Sequence, residues 1–368
     1  MRLILTLDYE LYGNGDGDVR EHIIEPTERF IRTCNAFGIK ATIFFEVLEY
    51  VIIKEMYESG VSMGYGENPA SLIEQQIRQL YREGHDIQLH LHPQWVGADY
   101  RQGTWHLNEK YWRLTDIPGD NDKTGIVNLR RIMMLGKNTV EKILKSVDPS
   151  YKCQILRAGS LNIVPSNDIL KIMREIGLTA DSSVVPGACS KNLYSDYDFR
   201  MIKNSVPYWY TQNNDILDMN STASEGKVYE FPLFALKMRR YRKITVNRLY
   251  KKLRNKAGIK TTLSRASNSE TKKSGIVENA KSLLRKEANL WDFCLLSFSE
   301  MKYFYSVARK IAASADHPFV LLGHTKEFTD SASLEKFIDY VNSRSENVEF
   351  VTLKELLYSA QNNRERRR

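Results

Sequence analysis

Two histidines stand two positions apart in the stretch GHDIQLHLHP, residues 84–93. The stretch alternates with a period of two, which predicts a β-strand. In a strand, side chains i and i+2 point to the same face, so His90 and His92 would share a face, and Pro93 would end the ladder. Two imidazoles presented in this way can bind one metal ion. Two polar residues at the solvated end of a strand are the alternative.

Charged and imidazole side chains also follow other strand-like runs. LTLDYE carries Asp8 and Glu10, again two positions apart, while CQILRAG carries Arg157 and PFVLLGH ends with His324. In parallel α/β folds, active sites lie at the carboxyl ends of the strands. Two imidazoles and a carboxylate with an open position for water form a hydrolytic metal site. A second carboxylate could take the proton from that water, and the late histidine could donate one to the leaving group.

Each of these residues also has a structural explanation. The two carboxylates could be solvated loop residues, and Arg157 could form a structural salt bridge, because a buried arginine is rare unless it is paired. His324 could be a satisfied core histidine.

Strand-like and helix-like segments alternate along most of the 368 residues. The predicted strands are RLILTLDY, KATIFFEV, HDIQLHLH, CQILRAG, TADSSV, PFVLLGH and VEFVTL. The predicted helices lie in EPTERFIRTCNAFGI, SLIEQQIRQLYREG, NLRRIMMLGKNTVEKILKSV, SNDILKIMREIG, SLEKFIDYVNSR and KELLYSAQNN. Repeated strand-then-helix units predict parallel strands covered by helices, in an α/β barrel or an open doubly wound sheet.

Two segments interrupt this alternation. Residues 95–125 are rich in Trp and Tyr and are predicted to form a long loop, in which aromatic rings such as that of Trp95 could stack on a sugar or pack on the core. Residues 237–287 hold 17 Lys and Arg against 3 Glu. This segment therefore has a net charge of +14 and leaves the rest of the chain at −6, given the total of +8.

The basic segment favours a surface contact over a place in the core. Within it, Val246, Leu249, Tyr250, Leu253 and Ala257 fall at helical spacing. The possible roles are a solvated face, an amphipathic helix on an anionic membrane surface, or nucleic-acid binding. We expect no nucleic acid, because no recognition motif accompanies the charge. No apolar run reaches the roughly 18 residues of a membrane span, and the first residues resemble a strand rather than an export signal. We therefore expect a cytoplasmic protein, with a peripheral position on the inner membrane face as an option.

Six motifs together resemble the polysaccharide deacetylases of the NodB-homology type, carbohydrate esterase family 4. They are LTLDYEL, ATIFFEV, GHDIQLHLHP, RAGSLNI, DSSV and LLGHTKEF, in the family's order and within residues 3–328. The resemblance implies a distorted (β/α) barrel. It covers residues 1–236 and 288–360, with 237–287 as a basic, partly helical insertion and 361–368 as a basic tail. It also implies that the enzyme removes acetyl groups from N-acetylated sugars with one divalent metal, zinc in most members.

The family's roles can be carried over position by position. The resemblance implies that Asp8 is the general base, Arg157 its charge partner and His324 the general acid. Metal ligands would be Glu10, His90 and His92. We expect Tyr9, Trp95 and Asp181 to contact the substrate. Asp181 lies where the family's fourth motif helps to orient the late histidine.

The motifs depart from the family's pattern in three places. In the fourth motif, Ser183 and Val184 stand where the family often has a bulkier aromatic residue, which implies a different substrate pocket. Tyr9 stands where the family commonly has a second aspartate, so either Glu10 replaces it as a ligand or Asp8 ligates instead. Gln94 stands four positions after His90, where the family commonly has its second histidine, and strand geometry allows His92 to substitute.

We therefore expect a metal-dependent deacetylase of a polysaccharide, or of its lipid- or nucleotide-linked precursor. The alternatives are a hydrolase of another amide or ester, and a non-catalytic carbohydrate- or membrane-binding module on the same barrel.

Overall fold

The structure is a computed structural model. It describes residues 1–119, 128–211, 213–219, 226–239, 286–312, 314, 316–344 and 347–362. The helical stripe predicted within 237–287, the tail at 361–368 beyond Asn362 and the end of the predicted 95–125 loop lie outside the described residues. Among the helices described, none is both long and apolar enough to cross a membrane.

Nine strands of the described residues form one large sheet. In chain order they are Arg2–Tyr9 (β1), Thr42–Glu46 (β2), Asp86–Leu91 (β3), Ile155–Ala158 (β6), Ala180–Asp181 (β7), Trp209–Thr211 (β10), Val228–Glu230 (β11), Pro318–His324 (β14) and Glu349–Phe350 (β15). The spatial order is β10-β11-β7-β6-β3-β2-β1-β14, with β15 paired to the start of β1. All pairs are parallel except β10 with β11, as expected where helices connect the strands.

Helices cover the outside of this sheet. They span Glu25–Ala36 (α1), Val47–Glu58 (α2), Pro69–Arg82 (α3), Leu129–Lys145 (α4), Asn167–Ile176 (α5), Phe298–Ile311 (α6), Ala332–Asn342 (α7) and Leu353–Asn362 (α8). Short 3₁₀ turns lie at Pro93–Trp95, Glu109–Tyr111, Leu114–Asp116, Gly159–Leu161 and Thr325–Glu327, and a π-helical turn lies at Arg20–Ile24. Strands β1, β2 and β3 are buried almost throughout; β1 and β2 are largely apolar, whereas β3 alternates apolar residues with the buried polar residues Asp86, Gln88 and His90.

The sheet curls so that its two ends approach one another. The backbone N–H of Leu233 donates to Val184 O, beyond β7, and that of Phe234 donates to Val320 O in β14, each at 2.9 Å. The predicted distorted α/β barrel is thus confirmed at this level, as a mixed α/β fold with a curled, half-barrel sheet.

Three two-stranded sheets complete the described elements. They are Asp99–Arg101 (β4) with Thr104–His106 (β5), Cys189–Lys191 (β8) with Asp196–Asp198 (β9), and Ala235–Arg239 (β12) with Lys286–Leu290 (β13), all antiparallel. The pair β12–β13 contains the two ends of the basic segment, since Arg239 lies opposite Lys286. The domain boundaries at 237 and 287 remain predictions.

Candidate metal centre

The register of the parallel strands places the predicted site residues side by side. In the β1–β14 pair, Asp8 lies opposite His324, and in the β3–β6 pair, His90 lies opposite Arg157. All four stand at or near the carboxyl ends of their strands, where a parallel α/β sheet gathers its functional groups. The order β6-β3-β2-β1-β14 then brings them to one edge of the sheet.

Three potential ligand atoms meet at this edge. Glu10 Oε2 lies 2.9 Å from His92 Nε2 and 3.3 Å from His90 Nε2, and the two Nε2 atoms lie 3.1 Å apart. All three residues are buried. A tetrahedral zinc ion with bonds of about 2.0–2.1 Å separates its ligand atoms by about 3.3 Å. The triangle formed by Glu10 Oε2, His90 Nε2 and His92 Nε2 is close to this size. Two imidazoles and one carboxylate are also common zinc ligands, so the residues fit one divalent metal.

Outer hydrogen bonds hold the two imidazole rings. His90 Nδ1 lies 2.8 Å from the backbone oxygen of Arg157, which can only accept, so Nδ1 carries a proton and Nε2 is the atom directed at Glu10 and His92. His92 Nδ1 lies 2.9 Å from the side-chain amide of Gln94, which is fully buried. Gln94, noted in the sequence only as a departure from the family's pattern, therefore contacts a candidate ligand rather than being one.

Glu10 is surrounded by positive charge and hydrogen-bond donors. Burial would raise the pKa of the Glu10 carboxyl, but the charges of Lys326 and His92 and hydrogen bonds from the imidazoles hold it well below its usual range. Burial lowers the pKa of His92, so this ring favours its neutral form. An ionised Glu10 and a neutral His92 are the protonation states that metal binding requires of these two residues.

Asp8 and Arg157 form a buried ion pair next to the triangle. Arg157 Nη1 donates to Asp8 Oδ1 at 2.6 Å, and the arginine is fully buried. The guanidinium also donates to Thr6 Oγ1 at 3.0 Å and to Ser182 O at 2.9 Å, and it lies 3.9 Å from the centre of the Phe44 ring. These contacts fix Asp8 and leave its other oxygen free to face the triangle.

His324 lies across from this pair. Its Nε2 is 3.8 Å from Asp8 Oδ2 and 4.0 Å from Glu10 Oε1, and its Nδ1 is 3.2 Å from Glu327 Oε2. Burial lowers the pKa of His324, but the adjacent Glu327 carboxylate and the charge of Asp8 outweigh this effect and raise it to about 9. The ring is thus a proton donor at neutral pH. Its side chain is 23% exposed, so it faces the open side of the site.

The residues predicted to contact substrate are all buried in this structure. Tyr9 is buried on the opposite face of β1, where its hydroxyl donates to Gln76 Oε1 at 2.9 Å. Trp95 is also buried, with its ring against Trp105. Neither side chain is presented to solvent in this structure.

Asp181 was expected to orient the late histidine, and its described contacts differ from that expectation. Its two carboxylate oxygens accept hydrogen bonds from the backbone N–H and the hydroxyl of Ser183, at 2.8 and 2.9 Å. Burial raises the pKa of Asp181 to about 6. The carboxylate next to His324 is that of Glu327 instead.

Two residues of the site were missed in the sequence. Lys326 and Glu327 directly follow His324, in the turn Thr325–Glu327. Lys326 donates to Glu10 Oε1 at 2.6 Å, and Glu327 contacts the histidine itself. Their adjacency to His324 was the available signal, because a residue next to a strand-end histidine has a high chance of lining the same site.

Comparisons with known proteins give similarities of fold. No protein-family model matches the sequence, and a search of curated proteins finds no significant match. A solved candidate polysaccharide deacetylase from Mycobacterium smegmatis matches with 12% identity over 99% of this chain and 91% of that chain, at a TM-score of 0.48. A GH57-type branching enzyme from Pyrococcus horikoshii matches with 12% identity over 96% and 69%, at 0.47. A second candidate polysaccharide deacetylase, from Pseudomonas aeruginosa PAO1, matches with 13% identity over 96% and 88%, at 0.45.

These similarities are weak, since every one of the three TM-scores lies below 0.5. The three proteins also include two different activities. We therefore base the function on the side chains of the site.

Proposed function

We propose that this protein is a metal-dependent hydrolase that removes an acetyl group from an N-acetylated sugar, in a polysaccharide or in its lipid- or nucleotide-linked precursor. The observation that supports this proposal is the triangle of Glu10, His90 and His92 atoms, 2.9 to 3.3 Å on each side, next to the Asp8–Arg157 pair. One metal site, one carboxylate and one protonated imidazole are the groups that amide hydrolysis needs.

Glu10, His90 and His92 would hold the metal. Between the two carboxylates, the geometry favours Glu10 over Asp8 as the ligand, because Glu10 Oε2 points at both Nε2 atoms while Asp8 Oδ1 accepts from Arg157. When bound, a divalent cation such as zinc polarises the amide carbonyl and lowers the pKa of a bound water.

Asp8 would accept the proton of the attacking water. Its Oδ2 lies 3.8 Å from the Nε2 atoms of both His90 and His324, so it faces the space between the triangle and the proton donor. Arg157 orients the carboxylate through Oδ1 and compensates its charge.

His324 would donate a proton to the departing sugar nitrogen. An amine leaves an amide poorly unless it is protonated, so this step requires an acid that holds its proton at neutral pH. The raised pKa of His324 meets the requirement, and Glu327 is the group that raises it and fixes the ring from the Nδ1 side.

The assignment of an N-acetylated sugar as the substrate rests on the six sequence motifs and not on the geometry of the site. The anionic-membrane partner likewise rests on the charge of residues 237–287. The sugar substrate and the membrane partner are therefore the more specific parts of the proposal. Activity measurements on a panel of substrates distinguish a sugar deacetylase from other amide and ester hydrolases.

The test begins with metal content and acetate release. We expect about one equivalent of divalent metal in the purified protein and acetate release from N-acetylated sugars, supplied free and diphosphate-linked. Replacing His90 and His92 together by alanine should remove the metal, whereas the exposed His106→Ala should keep it. Asp8→Asn should keep the metal and lose activity by about 10²–10⁴-fold.

Two results would contradict the proposal. Metal retained at full stoichiometry in the double variant would refute the ligand set. Acetate release from O-acetyl esters or simple amides, without release from any N-acetyl sugar, would establish the alternative hydrolase, and no hydrolysis at all would favour the binding module.

A further inference from the structure

Lys326 is a buried cation that the proposed mechanism does not use. Its side chain is 11% exposed, and its ammonium group donates to Glu10 Oε1 at 2.6 Å and to the backbone oxygen of Leu11 at 2.7 Å. Glu10 is therefore bound from two sides, with Oε1 on the lysine and Oε2 on the imidazoles. A buried lysine is rare unless it is paired, so this one has a specific partner in Glu10.

Both carboxylates that face the candidate metal position already have a cationic partner without a metal. Asp8 is paired with Arg157, and Glu10 is paired with Lys326. A divalent cation placed at the triangle would add two positive charges close to the ammonium group. Like charges in a buried site of low effective dielectric repel strongly.

We propose that Lys326 is a resident countercharge, which holds Glu10 in position in the absence of metal and competes with the metal for that carboxylate. The site is then pre-formed, and it binds its ion more weakly than the same three ligands would without the lysine. This inference rests on the metal site of the proposed function.

The sign of one measurement separates this role from a simple orienting role. If Lys326 only positions Glu10, its removal should weaken metal binding, as the loss of an outer hydrogen bond commonly does by about 10–100-fold. If Lys326 competes with the metal, removing its charge leaves Glu10 buried without a cation. Metal binding then relieves that cost, so affinity rises.

The experiment uses the full chain and three substitutions at one position. Lys326→Gln keeps a hydrogen-bond donor and removes the charge, Lys326→Met removes both, and Lys326→Arg keeps the charge. The matched control is Lys137→Met, which breaks a lysine–glutamate pair of similar burial (Lys137 with Glu141) on α4. Affinities for Zn²⁺ and Co²⁺ come from competition with a chromophoric chelator, and melting temperatures are measured with and without each metal.

We expect Lys326→Gln to bind Zn²⁺ at least about tenfold more tightly than the wild type. Its metal-free melting temperature should fall, and its stabilisation by metal should exceed that of the wild type. Lys326→Met should show the same signs, and folding of that variant only in the presence of metal also supports the inference. Lys326→Arg and the control should keep the wild-type affinity.

Three results would overturn the inference. They are equal or weaker metal binding by Lys326→Gln, tighter binding by Lys326→Arg, or no binding by either the wild type or Lys326→Gln. Metal bound by Lys326→Gln but not by the wild type supports it, because the lysine then excludes the ion. Failure of acetate release with these affinities intact would refute the deacetylase and leave the countercharge standing.

Discussion

Gly159 gives the sharpest test of how the imidazoles are held. A Cβ atom at this position would lie 2.7 Å from the backbone oxygen of Leu91 and 2.9 Å from two ring atoms of His92. Ordinary contact begins at 3.4 Å, so in Gly159→Ala the ring must move by about 0.5 Å or the backbone must yield. The following residues Ser160 and Leu161 already have positive φ values of 51° and 61°, so this backbone has little freedom to adjust.

We expect Gly159→Ala to lose metal affinity by about 10–100-fold, the range found when an outer contact of a ligand is disturbed. The overpacking should also cost about 1–3 kcal/mol of stability. Chelator competition measures the affinity, and denaturant unfolding of the metal-free protein measures the stability.

Gly136→Ala is the matched control for overpacking. Its Cβ would lie 2.8 Å from a methyl carbon of Leu91 and 3.0 Å from one of Leu89, on the α4 side of β3. It crowds the same strand without contacting His92. Two results would refute the idea that Gly159 makes room for the imidazole of His92. One is a Gly159→Ala variant that is destabilised but binds the metal with wild-type affinity, and the other is an equal loss of metal affinity in Gly159→Ala and Gly136→Ala.

The remaining predictions concern the metal, the ion pair and pH. Dialysis against a chelator should abolish activity, and added Zn²⁺ or Co²⁺ should restore it, as followed by acetate release; full activity after chelation would exclude a metal enzyme. Arg157→Met should destabilise the protein by about 3–5 kcal/mol, because it leaves Asp8 buried without its partner, and a loss under 1 kcal/mol in chemical denaturation would contradict this. His85 is buried, and burial lowers its pKa to about 4, below the 6.5 of the unfolded chain. The unfolded state therefore binds the proton first as the pH falls. Above pH 6.5 this histidine does not reduce the free energy of unfolding, and between pH 6.5 and pH 4 it lowers that free energy by about 3 kcal/mol. His85→Gln should flatten that part of the stability–pH curve, and an unchanged slope would count against it.

The sequence predicted the elements that carry the site, because those elements have simple patterns. β3 alternates, β1 and β14 are apolar runs that end in polar groups, and the order of the motifs implied that these ends converge. The same period of two that placed Asp8 and Glu10 on one face also put Tyr9 on the other, so its burial against Gln76 could have been anticipated.

Other features depended on contacts that a local pattern does not contain. Helix α2, at Val47–Glu58, is not among the helices predicted from the sequence. Its first turn directly continues the apolar run of β2, and Val47 through Tyr50 are all buried, so the sequence there lacks the alternation of apolar and polar faces that indicates a surface helix. The predicted strand VEFVTL forms only at Glu349–Phe350, where it pairs with the start of β1. The contact of Lys326 with Leu11 joins residues 315 positions apart.

The buried charges of the site also explain why it is built on strand ends rather than loops. Burying two ion pairs, Asp8 with Arg157 and Glu10 with Lys326, costs desolvation energy that attraction recovers only if the geometry is held closely. Strand register supplies that geometry for the residues on the strands, since it fixes Asp8 beside His324 and His90 beside Arg157 through backbone hydrogen bonds. Glu10 and Lys326 lie in the segments directly after β1 and β14. The apolar interior of β1, β2 and β3 supplies the stability that these pairs do not. A shift of one residue in either register would turn the charged side chains into that interior, so the same ladders that form the fold also define the site.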